Sequence, residues 1–84
     1  MFKKVASIKP QNNYHLLVHF ESGETMQYDL AALFNKWEVF RSLEQTAGLF
    51  ELVKIDPGGY GISWNEDIDI SADELFTNGK DILV

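Results

Sequence analysis

The chain has 84 residues, 45% of them hydrophobic, with 13 acidic residues against 7 lysines and arginines and a net charge of −6. That length supports one domain, residues 1–84, around one small core, and the acidic balance opposes a phosphate backbone, so nucleic-acid binding by the chain itself is not expected. Absence of cysteine excludes disulfides, thiol nucleophiles and thiolate metal sites, and no apolar run nears the roughly 20 residues of a membrane span or follows the early lysines as in a signal peptide, so a cytoplasmic protein is expected.

Residues 2–9 alternate loosely, with Phe2, Val5 and Ile8 apolar and Lys3, Lys4 and Lys9 charged. They predict a first strand with an irregularity, ending at Pro10, its lysines suited to a guarded sheet edge. Gln11-Asn12-Asn13 is a polar turn, and residues 14–20 predict a second strand with Leu16, Val18 and Phe20 inward. His15 and His19 then face outward. Four strand residues at ~3.3 Å each set them about 13 Å apart, too far to share a metal ion whose bonds are about 2 Å long. Glu21-Ser22-Gly23-Glu24 is a hairpin turn with Gly23 free to take positive φ, and residues 25–28 predict a third strand with Met26 and Tyr28 inward.

Asp29 is placed to cap a helix beginning at Leu30, whose apolar contacts are Leu30, Leu33 and Phe34 and which Asn35 interrupts. Residues 37–43 predict a second short helical turn burying Val39, Phe40 and Leu43. Residues 49–56 predict a fourth strand, through Val53 and Ile55. Pro57-Gly58-Gly59 follows as a turn in which proline presets the first corner and glycine takes the positive φ of the second. Tyr60, Ile62 and Trp64 alternate with Gly61 and Ser63, so a hairpin partner strand is expected with the three large side chains on one face. Ile68 and Ile70 then point inward and Asp67 and Asp69 outward. Ser71 and Glu74 fit a capping box opening a helix that carries Leu75 and Phe76, and Asn78-Gly79 ends it, with the glycine expected in the left-handed conformation. The fold class expected is α+β: a small antiparallel sheet, made of an N-terminal three-strand meander plus a C-terminal hairpin, with short helices packed on one face.

The densest chemistry is acidic. Glu66, Asp67, Asp69, Asp73 and Glu74 are five of the 13 acids within nine positions. Asp67, Asp69, Ser71 and Asp73 alternate like ligands of a calcium loop, but the positions that need glycine and a bidentate glutamate hold Ala72 and Asn78, so no metal and no other cofactor is expected. Helix capping and a solvated strand edge already account for Ser71, Asp73 and Glu74. A functional role for the run is to meet a small basic protein. Trp64 belongs either to the core, by its alternation, or to that contact, as an aromatic anchor. Ser22 and Ser63 have no neighbouring base, and the glycines lie in a hairpin without a phosphate-binding lysine, so no catalytic residues are expected and the chain is read as non-catalytic.

Several pieces fall in a recognisable order: Tyr14-His15-Leu16-Leu17-Val18-His19-Phe20 before Glu21-Ser22-Gly23-Glu24; Tyr28-Asp29-Leu30; Phe40-Arg41-Ser42-Leu43; Asp56-Pro57-Gly58-Gly59-Tyr60-Gly61-Ile62-Ser63-Trp64-Asn65; Ile68-Asp69-Ile70-Ser71; and Glu74-Leu75-Phe76. Over nearly its whole length the chain resembles the small, mostly bacterial family catalogued as domain of unknown function 2442 (DUF2442). The resemblance implies a compact α+β fold and an antitoxin-like or adaptor role in two-gene modules with short toxin-like proteins. Some members carry an added helix-turn-helix, which is not expected within these 84 residues, and the family brings no catalytic residues to transfer. Two readings follow. One is a protein-interaction module using Glu66, Asp67, Asp69, Asp73 and Trp64. The alternative is a small-ligand or divalent-metal-binding domain in which those carboxylates converge. A homodimer, through an open sheet edge or Ile82-Leu83-Val84, is compatible with either.

Overall fold

A computed structural model describes residues 3–82. Its first sheet has four strands in the order β1-β2-β3-β7, and its second has three in the order β4-β5-β6, all antiparallel. Strands β1 (Val5–Gln11), β2 (His15–Phe20) and β3 (Thr25–Asp29) form the expected meander. Its register sets Ile8 opposite Val18, and Leu16 and Val18 opposite Tyr28 and Met26, which gathers the apolar residues on one face. The expected irregularity in β1 is a register shift between Val5 and Ser7. Phe2, assigned to that strand from the sequence, lies outside the described residues. Pro10 falls inside β1 rather than ending it, tolerated because β1 is an edge.

The β1–β2 turn departs from expectation at Tyr14, which has φ 59° and precedes the strand instead of opening it. That conformation is uncommon for an aromatic residue. Here the ring is held edge-on by Phe34 at 5.3 Å and Phe50 at 5.2 Å, and the carbonyl accepts from the Leu30 N–H at 3.0 Å.

Helix α1 (Ala31–Lys36) begins where the Asp29 carboxylate accepts from the Ala31 N–H at 2.8 Å. It runs through Asn35, and the break comes at Trp37, whose backbone is extended (φ −132°, ψ 110°). A 3-10 turn (Glu38–Arg41) and α2 (Ser42–Gln45) follow. The tighter winding sets Phe40 and Leu43, three apart, on the inward side. Val39, expected in the core, is therefore 40% exposed.

The fourth strand is also shorter than read. Only β4 (Lys54–Ile55) pairs, because Phe50–Leu52 is a 3-10 turn that brings the Phe50 ring and carbonyl to Trp64. The turn after it is as expected: the Asp56 carbonyl accepts from the Gly59 N–H at 2.9 Å, with Gly58 at φ 83°, ψ −10°, the second corner of a type II turn. Strand β5 (Gly61–Ser63) then pairs with β4 and with β6 (Asp69–Ser71). The C-terminal hairpin thus builds a sheet of its own rather than widening the meander. Tyr60 leaves the inward row because its backbone is still helical (φ −82°, ψ −2°), so the alternation starts at Gly61.

Helix α3 (Ala72–Asn78) ends at Gly79, which is extended (φ −78°, ψ 162°), not left-handed. The glycine answers to space instead: a Cβ there would sit 2.5 Å from the Leu75 carbonyl oxygen and 3.1 Å from the Met26 Cβ. This close approach lets β7 (Lys80–Asp81) pair with Met26 and Gln27 of β3, and Ile82 N–H continues the ladder to the Thr25 carbonyl at 3.0 Å. Leu83 and Val84, the rest of the expected terminal contact, lie outside the described residues. The buried residues form one cluster spanning both sheets, with Leu16, Leu30, Leu43, Ile62, Ile68 and Leu75 fully enclosed. Among the described residues no helix is long and apolar enough to cross a membrane.

Candidate functional site

The acidic run is shaped by Asn65. Its side-chain oxygen accepts from the Asp67 N–H at 2.8 Å and the Ile68 N–H at 3.0 Å, and the Trp64 N–H donates to the Ile68 carbonyl at 3.0 Å. These bonds close the β5–β6 hairpin and hold Glu66 and Asp67 at its exposed tip. Past the tip the alternation is as read, with Ile68 and Ile70 buried and Asp67 and Asp69 exposed. Among the described residues the side chains of Glu66, Asp67 and Asp69 make no ion pair or hydrogen bond.

Across from this hairpin the chain breaks between α1 and the following 3-10 turn. The break carries Trp37 outward, where it is 54% exposed. An open hollow of about 390 Å³ is lined by Trp37, Val39 and Phe40 from the break and the turn after it, by Asp67 and Asp69 from the hairpin, and by Lys36 and Glu74. Trp37 had no functional reading in the sequence. Its spacing to Phe40 and Leu43 favours an inward position, and only the extended backbone at Trp37 turns it out.

Trp64 is the opposite case. It is 6% exposed, its indole N–H donates to the Phe50 carbonyl at 2.9 Å, and its ring stacks on that of Phe50 with centroids 6.4 Å apart. It is a core residue, and its alternative place as a partner contact falls because the ring and its polar atom are both occupied inside.

The other acids disperse. Glu66 opens with Asp69 on a separate hollow beside Lys54 and Asp56. Asp73 turns to the N-terminal end, where its carboxylate accepts from the Lys3 backbone N–H at 3.5 Å. Glu74 lines the Trp37 hollow, but its carboxylate accepts from the Tyr28 hydroxyl and the Asn78 amide, each at 2.8 Å. Half of the expected capping box is therefore made. Ser71 accepts from the Glu74 N–H at 3.1 Å, while the glutamate reaches to β3 instead of back to Ser71. Burial, and after it the Glu74 carboxylate, push the Tyr28 phenol well above its ordinary range, which keeps it a donor.

The alternative metal reading needs carboxylates to converge. Among the described residues no group of three His, Asp or Glu side chains is disposed to hold an ion. The histidines are engaged separately: His15 Nδ1 lies 3.2 Å from the Asn12 carbonyl, and His19 Nδ1 lies 2.7 Å from the Thr25 hydroxyl. A family described as a protein of unknown function (DUF2442) matches residues 5–81. No curated protein and no solved structure matches the chain.

Proposed function

The chain belongs to the DUF2442 family, and from the hollow between Trp37 and the β5–β6 hairpin we propose that it is a non-catalytic interaction module that docks a small basic protein. The observation that carries this reading is one open hollow lined by an exposed indole, Trp37, and by two carboxylates, Asp67 and Asp69, that are unpaired among the described residues. Tryptophan is among the residue types enriched at interface anchors, and carboxylates around it steer a cationic partner into register. The net charge of −6 extends that attraction, with Glu66 and Asp73 on the flanking surface. The family resemblance lends the reading its setting, the antitoxin-like or adaptor member of a two-gene module in a bacterial cytoplasm.

The test is capture from the native cell with tagged wild-type protein, a D67N/D69N double variant and a W37A variant. A small basic protein retained by the wild type and lost from both variants supports the reading. Equal retention by all three moves the interface away from this hollow, and no basic protein on the wild type removes the reading.

A further inference from the structure

We infer that the Trp37 hollow is built to receive one arginine side chain of the basic partner, with the guanidinium laid on the indole and directed toward Asp67 and Asp69; this rests on the interaction reading above. Three features select that group. The hollow joins apolar surface, Trp37, Val39 and Phe40, to carboxylates rather than keeping them apart. A ligand filling it must therefore present hydrocarbon and positive charge together. Among the charged groups lining it, Asp67, Asp69 and Glu74 stand against Lys36, which leaves a charge of −2 (three acids less one lysine). Glu74 already accepts from Tyr28 and Asn78, so among the described residues Asp67 and Asp69 are the acids of the hollow left to pair.

Arginine fits these features better than lysine. Its guanidinium is planar, weakly hydrated, stacks on an aromatic face and can pair with a carboxylate through two parallel N–H donors. The ammonium of lysine is a compact, strongly hydrated charge that loses more on leaving water. A second copy of this chain is a poor occupant. It carries the same −6, and its one arginine, Arg41, is held by Asn35 at 3.1 Å and lies 3.7 Å from Glu44.

The two tryptophans make a clean assay, because each contributes one indole N–H resonance and Trp64 serves as an internal reference for the fold. Short peptides of equal length carrying arginine, lysine or citrulline at the same positions are titrated into the whole chain. The arginine peptide is expected to move the Trp37 indole and the Asp67 and Asp69 amides saturably, at least about tenfold more tightly than the lysine peptide, with no saturation by citrulline. D67N/D69N and W37L should each weaken binding by about tenfold or more while the Trp64 indole stays in place. Equal binding of the arginine and lysine peptides overturns the arginine inference and leaves the interaction module standing. So does an unmoved Trp37 indole where the captured protein still depends on Asp67 and Asp69. An unmoved indole together with no captured protein removes both.

Discussion

At the scale of single residues, identical side chains do opposite work according to the backbone that carries them. Trp64 donates its indole N–H inside the core, while Trp37 shows more than half its surface to solvent. A soluble quencher should therefore remove part of the tryptophan emission readily. In a Trp37→Phe variant the remaining emission should be blue-shifted and shielded. Trp64→Phe should lose about 1–3 kcal/mol in urea unfolding, since the Phe50 carbonyl is then buried without its donor. A third residue carries a pH dependence. The Ser22 hydroxyl, and after it the Lys3 ammonium at 3.0 Å, lower the Glu24 carboxyl to about 2 from its ordinary 4.5. A depressed folded value stabilises above the unfolded value and is lost as pH falls through the folded one. The contribution is thus full above pH 4.5 and disappears toward pH 2. Glu24→Gln should flatten the stability curve across that window, which an acid titration followed by circular dichroism checks.

Elements in this chain are short, so their ends matter more than their middles. Helix α3 has seven residues and depends on Ser71 at one end and on Gly79 at the other. Ser71→Ala removes the acceptor for the Glu74 N–H and should cost about 0.5–2 kcal/mol. Gly79→Ala is expected to cost about 1–3 kcal/mol, although alanine is ordinarily well tolerated at an extended φ, because the new methyl meets the Leu75 carbonyl and Met26. Paired urea melts separate the causes. Loss of the cap should leave β7 docked. The alanine at position 79 should also expose the Ile82 amide, which donates to the Thr25 carbonyl, to hydrogen exchange. The β5–β6 hairpin has its own determinant in Asn65, whose side-chain oxygen accepts from the Asp67 and Ile68 N–H groups and so fixes the acidic tip.

For the whole molecule, the two small sheets share one core and leave the Trp37 hollow open between the α1 break and the β5–β6 hairpin. Charge and anchor are then expected to separate kinetically. Added salt should mainly slow association with a basic partner, because fields between exposed charges are screened within about 10 Å at 0.1 M salt, whereas D67N/D69N, which also removes the paired carboxylates, should slow association and speed dissociation together. Trp37→Ala should mainly speed dissociation. Surface plasmon resonance with the captured partner distinguishes the two effects.

Local chemistry was readable wherever a signal is complete within a few residues. The α+β class, the meander, the type II turn at Pro57-Gly58, the Asp29 and Ser71 caps and the outward Asp67 and Asp69 all follow from alternation, turn chemistry or capping, which depend on near neighbours. What lay beyond the sequence depends on contacts between distant segments. Phe50 leaves its strand to meet Trp64, 14 positions on; the chain after Gly79 returns to pair with Met26 and Gln27; Tyr14 holds a left-handed backbone against Phe34 and Phe50. The hollow itself belongs to this second kind. Its acids were visible in the sequence, but Trp37 joins them in lining it only because the backbone at the end of α1 turns extended, and helical spacing alone points that side chain the other way.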